Sequence, residues 1–501
     1  MTQSREMSLQ KLLAGIIDVP AGVDMAVQGI AIDSRNCTPG CAFLACAGLS
    51  SHGLEYVDQA LRLGARAILW EPDGVDAPSL PEGVVALPVA ALSRHAGELA
   101  ARFHGYPVEA LDVIGVTGTN GKTSVAHLVA RALGHLGRRA AVAGTLGNGF
   151  PDELHATTHT TMDAVSLQAL LADLRDAGAD SLAMEVSSHA LSQHRVAGMR
   201  FHTAVFTNLT RDHLDYHGDL ESYAAAKRRL FDMPELQVAV VNADDAVGRD
   251  ILASLPTGTR RIAFASHAES LRDTGADDNI LITNIEFDAG GLQVMVDRNE
   301  KNLLLKAPLF GRFNALNLVA VFGVLLGFGY SDSEAVRALA GVRPVPGRME
   351  HLGGGALPLV IVDYAHTPDA LRQVLLAARE HVAGRVVCVF GCGGDRDRGK
   401  RPEMAEIAEG LADLVVVTDD NPRTEDGDAI VAEIVAGLKT PDAATVERDR
   451  AKAIHLAVRA ATRGDVVVLA GKGHEDYQVV GNERRYFSDR ETAQQALEAV
   501  A

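Results

Sequence analysis

Along 501 residues, short apolar runs rich in β-branched side chains alternate with stretches whose apolar positions recur at helical spacing, and this alternation predicts an α/β fold. Two further observations set its organisation. The chain is longer than one hydrophobic core usually supports, so several domains are expected. One stretch, from Leu111 to Leu136, reads as strand, glycine loop and helix in immediate succession. The expected arrangement is an α/β domain over 1–107, a central parallel-sheet domain over 108–345 that carries the glycine loop, and a Rossmann-like domain over 346–501.

The glycine loop comprises Gly118, Thr119, Asn120, Gly121, Lys122, Thr123 and Ser124, between a β-branched run ending at Val116 and apolar residues Val125, Leu128, Val129, Ala132 and Leu133 at helical spacing. Glycines let backbone N–H groups close on phosphate oxygens, and the helix N-terminus adds partial positive charge. Lys122 is placed to reach the terminal phosphates and Thr123 to ligate Mg²⁺. The expected ligand is a nucleoside triphosphate. The general pattern G-x-x-x-x-G-K-[ST] is not met literally, since Val116 stands where its first glycine would be and Gly115 lies one residue earlier.

Composition narrows the classes. A formal net charge of −18 argues against nonspecific nucleic-acid binding, so anionic ligands must be held by local devices such as helix N-termini and single arginines. The apolar run Leu318 to Tyr330 is too short to span a bilayer and is read as a buried helix. The polar start MTQSREMS has no apolar signal core, and a cytoplasmic protein without membrane insertion is expected. Cys37, Cys41, Cys46, Cys388 and Cys392 are read as free thiols, because their spacing lacks a C-x-x-C pair for zinc.

In chain order, Asp33, Ser34 and Arg35 follow an apolar strand; alone, the tripeptide reads equally as a turn or helix cap. A helix is expected from about Tyr56 to Leu63 and a strand over ARAILW. His159, Thr160 and Thr161 offer groups to phosphate or substrate oxygens, or caps for the helix that follows. Glu185 ends an apolar strand, the position at which a nucleotide-bound Mg²⁺ is held. Beyond it lie Ser187, Gln193 and Arg195, then NLTRDHLDYHGDLESYAAAK with His213, His217 and Lys227. Histidines among aspartates would suit a metallohydrolase, yet no H-E-x-x-H occurs, and Lys227-Arg228-Arg229 alone reads as a solvated helix face. In the last domain, apolar strands end in the loops GCGGDRDRGK, DDNPR and GKGHE; the first lacks the G-x-G-x-x-G spacing of a dinucleotide site.

TGTNGKT resembles the P-loop of the Mur ligase and folylpolyglutamate synthase superfamily. N-L-x-x-D-H-L-D-x-H-G followed by Y-x-x-x-K closely resembles the Mur ligase signature, and six or more such motifs occur in the family's order. The resemblance implies two Mg²⁺ ions, with ligands Thr123, Glu185, His213 and a carbamoylated Lys227, and catalytic roles for Lys122, Glu185, His213 and Lys227. It implies ATP contacts at the P-loop, at Asn314 and Asn317 of GRFNALN, and at Arg348 and Asp363. The N-terminal domain is implied to bind a UDP-sugar through Ile32, Ser34, Leu49, Ser50 and Ser51, with His159, Thr160, Thr161, Ser187, Gln193 and Arg195 completing that site.

Within the family, Asp420-Asn421-Pro422-Arg423 is similar to the D-N-P-R motif of the members that add meso-diaminopimelate to UDP-N-acetylmuramoyl-L-alanyl-D-glutamate; Arg396, Gly471 and Glu475 match their remaining amino-acid contacts. Diaminopimelate is lysine with a second carboxylate, which Arg423 is suited to pair bidentately. The implied reaction forms an acyl phosphate from ATP, which the incoming amine then attacks. A monomer acting on small molecules is expected. The alternatives are a lysine-adding counterpart, a folylpolyglutamate synthase-like ligase, or a nucleotide-regulated binding protein; for the last, a degenerate Lys122, His213 or Lys227 would have been the sign, and all three are intact.

Overall fold

The computed structural model describes residues 5–48, 51–157, 159–288 and 291–501. The chain divides into two compact units, Met1–Ala263 with Asp273–Asp277, and Phe264–Arg272 with Asp278–Ala501. The division falls inside the span 108–345, so the glycine loop belongs to the first unit and the helix bearing Asn314 to the second.

In the first unit, strands Gly29–Ala31, Cys41–Ala45, Ala67–Trp70 and Val85–Pro88 pair in that order, all parallel. Successive side chains point to opposite faces and feed two cores. Ala42, Leu44 and Leu69 pack with Leu99 and Phe103 of the helix Leu92–Phe103, while Phe43, Ile68 and Trp70 pack with Val57 and Ala60 of the helix Val57–Arg62. Asp33 caps the short 3-10 turn Ser34–Asn36, accepting from the Arg35 N–H at 2.9 Å, and the Arg35 guanidinium folds back onto the same carboxylate at 2.6 Å. Locally, then, the tripeptide is a capped turn. Leu49 and Ser50 lie outside the described residues.

The same unit holds a parallel sheet in the order Ala140–Gly144, Ser181–Glu185, Asp112–Thr117, Thr203–Phe206, Val238–Asn242. The glycine-loop strand is central, and its Val116 is in register with Glu185 on one side and Val205 on the other. The loops after these three strands therefore emerge side by side at the carboxyl edge, where open α/β sheets gather ligands. The helix Ala164–Asp176 is capped by Asp163, whose carboxylate accepts from the N–H groups of Val165 and Ser166 at 3.0 and 2.9 Å. The capping role weighed for His159–Thr161 thus falls to a neighbour, which leaves the Thr160 and Thr161 hydroxyls for other partners.

In the second unit, Asp278–Asp288, Gly291–Arg298 and Lys301–Ala307 form an antiparallel meander. The apolar run from Leu318 lies in the helix Phe313–Gly327, buried along most of its length. Among the described residues no helix is long and apolar enough to cross a membrane. A six-stranded sheet follows, ordered Glu350–Gly353, Leu359–Asp363, Val466–Ala470, Val386–Phe390, Leu414–Val417, Thr445–Val446, parallel except at its first pair. Ile361, Cys388 and Val468 face one core, and Val360, Val389 and Val467 the other.

This sheet is braced by one ionic pair. Arg450 and Asp489 are both 0% exposed, with Nε and a terminal nitrogen of Arg450 each 2.7 Å from an Asp489 oxygen, and Arg450 also donates to the Ala470 carbonyl at 3.0 Å. Two buried ions are tolerated because each satisfies the other; removing one strands its partner. Arg450→Met should lower the unfolding free energy of the full chain by about 3–5 kcal/mol, read by urea denaturation.

Candidate active site

The P-loop is held by backbone geometry that glycine alone supplies easily. Gly118 has φ 150° and Gly121 φ 87°, and a Cβ on Gly118 would sit 1.9 Å from Thr207 Oγ1. Asn208 locks the loop with a two-point contact: the Asn120 N–H donates to its side-chain oxygen at 2.9 Å and its NH₂ donates to the Asn120 carbonyl at 3.2 Å. Thr207 Oγ1 adds a 2.6 Å bond to the same carbonyl. Lys122, first residue of the helix Lys122–His135, donates to the carbonyls of Gly118 and Thr119 at 2.9 and 2.8 Å.

Glu185, 1% exposed, ends its strand against this loop. Its carboxylate accepts from Thr123 Oγ1 at 2.9 Å, the Thr145 N–H at 2.7 Å and Thr145 Oγ1 at 3.3 Å. Those bonds offset much of the cost of burying the charge, so burial by itself does not demand a cation. The better argument is the donor set. A threonine hydroxyl and a carboxylate side by side at a P-loop helix start are hard oxygen ligands of the kind Mg²⁺ takes from protein while keeping its waters. Thr161 is tied in from below, donating to the Glu185 carbonyl at 2.9 Å and accepting from the Ser187 N–H at 3.1 Å, and Thr160 Oγ1 lies 3.1 Å from Thr145 Oγ1. The His159 backbone carbonyl accepts from Thr157 Oγ1 at 3.1 Å.

Lys227 departs from the solvated-face reading. It is 1% exposed on the helix Leu220–Arg228, donates to the Gly118 carbonyl at 2.8 Å, and lies 4.3 Å from the ring centre of Tyr223, one turn earlier. Burial, and then the neighbouring Lys122 ammonium, hold its pKa well below the ordinary lysine value, with Asp212 opposing. Tyr223 also packs edge-on to His213, with ring centres 6.1 Å apart, and its hydroxyl is 3.2 Å from Thr119 Oγ1. His213 adopts a left-handed backbone, φ 54°, and its Nε2 is 3.4 Å from Asp212. His189, His217 and Tyr216 complete an aromatic cluster around it. Arg195 and Gln193 continue the wall: Arg195 donates to Gln193 Oε1 at 2.6 Å and to the Thr161 carbonyl at 2.9 Å, and Gln193 donates to the Tyr216 hydroxyl at 3.0 Å. Ser34 donates to Gln59 at 2.8 Å, with Ile32 beside its turn.

In the second unit, Asn314 donates to the Phe310 carbonyl at 2.7 Å and accepts from Asn317 at 2.9 Å. The Arg348 guanidinium stacks 4.6 Å from the Tyr364 ring centre. Asp363 is buried; desolvation pushes its pKa up to about 6, although Arg348 and the Met349 N–H at 2.7 Å work the other way.

The three loops of the last sheet meet. Asp420, Asn421, Lys472 and Glu475 form one cluster: Lys472, fully buried, lies 3.1 Å from Asn421 Oδ1, 3.2 Å from Glu475 and 3.6 Å from Asp420, and Asn421 donates to Glu475 at 2.9 Å. Gly471, at φ 119°, passes beside Asp420, where a Cβ would sit 3.1 Å from Oδ2. Arg423 follows the buried Pro422, has a left-handed backbone at φ 52°, and donates to the Gly394 carbonyl at 2.8 Å; Arg396 is exposed on the facing loop. Sequence reasoning missed Thr145 and gave no role to Asn208, Tyr223 and Lys472, which stand in the motifs it singled out. Two carried a readable signal: the four-residue spacing of Tyr223 and Lys227 puts both on one helix face, and Asn208 lies two residues past the strand Thr203–Phe206 that pairs with the P-loop strand.

A P-loop seated on a parallel sheet, with a buried acid at its threonine, defines a nucleotide-binding α/β enzyme of the phosphoryl-transfer type. The Mur ligase catalytic domain matches residues 26–104, the Mur ligase middle domain 116–325, and the Mur ligase glutamate ligase domain 347–473. A protein of Xylella fastidiosa named UDP-N-acetylmuramoyl-L-alanyl-D-glutamate--2,6-diaminopimelate ligase is 49% identical over 99% of this chain and 98% of its own. One of the same name from Alkalilimnicola ehrlichii is 50% identical over 98% and 99%. A solved structure with that name superposes with a TM-score of 0.71 at 36% identity, over 99% of both chains. The chain belongs to the Mur ligase family.

Gly144 gives a direct handle on the Glu185 carboxylate, because a Cβ there would lie 2.2 Å from Glu185 Oε1. Gly144→Ala should displace the carboxylate and lower kcat/KM for ATP by about tenfold or more, with the thermal midpoint measured alongside to separate local displacement from unfolding.

Proposed function

We propose that this chain, an ATP-dependent Mur ligase, adds meso-diaminopimelate to UDP-N-acetylmuramoyl-L-alanyl-D-glutamate in the cytoplasmic synthesis of peptidoglycan precursor, with domains over 1–107, 108–345 and 346–501. The observation that carries the choice of amino acid is the Asp420–Arg423 loop packed against Gly471–Glu475, supported by the names of relatives similar over nearly their whole length. Asp420 and Glu475 bring two carboxylates against one buried ammonium, Lys472, leaving one negative charge for an incoming amine. Arg423 supplies the guanidinium fork for the far carboxylate that lysine lacks.

In the first step the glutamyl carboxylate attacks the γ-phosphorus, ADP leaves, and an acyl phosphate forms; in the second the amine attacks the acyl carbon and phosphate leaves. Lys122 and the P-loop N–H groups hold the phosphoryl oxygens, and Asn314, Asn317, Arg348 and Asp363 are assigned to the rest of ATP. Thr123 and Glu185 are the residues that would hold one Mg²⁺, and His213 with Lys227 a second; bound there, the ions would neutralise charge shared between carboxylate and phosphate. Ser34, Ser51, His159, Thr160, Thr161, Ser187, Gln193 and Arg195 are assigned to the UDP-sugar peptide.

Lys227 in its unmodified form places a second amine on the Gly118 carbonyl beside Lys122. Burial holds its pKa well below the ordinary lysine value and so favours the neutral amine, the form that attacks CO₂ to give a carbamate and release a proton. Lys227→Ala should lose about a hundredfold or more in kcat/KM, and acetate should restore part of it. Full activity in the alanine variant would remove the lysine from the reaction.

The test of the whole reading is ADP release with each substrate omitted and with a panel of amino acids. Turnover should need the UDP-dipeptide and an amino acid together, and diaminopimelate should far exceed lysine. Arg423→Ala should cut kcat/KM for diaminopimelate by roughly a hundredfold and change lysine use much less. An equal loss on both amino acids would give Arg423 a purely structural role.

A further inference from the structure

Arg401 is the largest fully buried side chain outside the groups assigned above, at 0% exposure, on the helix Lys400–Leu411. Its guanidinium reaches both carboxylate oxygens of Glu425 at 2.9 and 3.0 Å, Glu433 at 2.7 Å and the Gly393 carbonyl at 3.3 Å. Glu425 follows Arg423 by two residues, and Gly393 precedes Arg396 by three. One side chain therefore ties together the two loops that carry the arginines of the amino-acid site.

The loops are further stitched to each other. The Gly394 N–H donates to the Asn421 carbonyl at 2.9 Å, Thr424 Oγ1 to Asp395 at 2.9 Å, and the Asp395 N–H to Glu425 at 2.5 Å. The approach is close enough to require glycines: a Cβ on Gly394 would fall 1.9 Å from the Pro422 carbonyl, and one on Gly393 would fall 2.8 Å from the Arg423 guanidinium. Asp395 and Arg423 both hold left-handed backbones, at φ 54° and 52°, a conformation that side-chain-bearing residues keep only when their surroundings enforce it.

We infer that Arg401 is a positioning residue which, through Glu425 and the Gly393 carbonyl, sets the direction of the Arg423 fork and so the enzyme's preference for an amino acid with a second carboxylate. The inference rests on the proposed use of diaminopimelate. A lysine in place of Arg401 keeps the charge but has neither the planar fork nor the reach to serve Glu425, Glu433 and Gly393 at once. Glu425 and Glu433 are partly exposed, so water can replace the lost bonds without stranding a buried anion.

The experiment is a steady-state comparison of the full-length wild type with Arg401→Lys and Asp395→Asn, the second being an exposed position that loosens the same loops without touching the core. KM for diaminopimelate should rise about tenfold or more, KM for ATP and for the UDP-dipeptide should stay put, and the diaminopimelate-to-lysine ratio of kcat/KM should fall. Uniform loss on every substrate, or a lowered thermal midpoint with the ratio unchanged, overturns the inference. A wild type that does not prefer diaminopimelate overturns the functional reading instead. If Arg423→Ala shifts the ratio and neither loop variant does, the reading stands and the positioning role falls.

Discussion

Two lysine amines converge on one backbone oxygen, the Gly118 carbonyl, at 2.9 Å from Lys122 and 2.8 Å from Lys227. Much of the first unit follows from accommodating them. The carbonyl can face both because Gly118 takes a backbone angle closed to other residues, and Asn208 and Thr207 hold the next turn of the loop so that it cannot relax away. Burial first, and then the Lys122 ammonium, hold the pKa of the more deeply placed amine, Lys227, well below the ordinary lysine value. The fold thereby favours loss of the Lys227 proton beside a phosphate loop.

The sheet makes this arrangement inevitable once the strands are paired. Val116 is flanked in register by Glu185 and Val205, so the Glu185 turn and the Thr207–Asn208 turn each leave the sheet one strand spacing from the P-loop, on opposite sides of it. Their polar ends bond mutually before any ligand is involved, as the Thr123, Glu185 and Thr145 bonds illustrate. Preorganised groups of this kind need not pay reorganisation costs when charge develops.

The alternation of strands and helices was legible because each period is written in side chains, as were the P-loop and the three loop motifs of the last domain, whose residue types are chemically unusual at their spacing. Lys227 shows the limit. From its neighbours Arg228 and Arg229 it reads as one of three solvated cations, and only its position under Tyr223 turns it inward. Asp163 displaced His159–Thr161 as helix cap for a similar reason: several residues had suitable side chains, and distance to the helix N–H groups chose between them. Arg401 gave no sequence signal, since a buried arginine is recognised by its partners, which lie on other segments.

The Arg423 loop is also edge-paired to the ribbon Tyr477–Val480 and Glu483–Tyr486: its N–H donates to the Val479 carbonyl at 3.0 Å, and its own carbonyl accepts from Gly481 at 2.7 Å. These partners come late in the order of synthesis. The P-loop and its neighbours can close while the ribosome is still extending the chain, since the bonds described above for them are drawn from the first unit. The amino-acid reader is clasped only after the ribbon emerges, so a nascent chain acquires its phosphate grip before it acquires its selectivity.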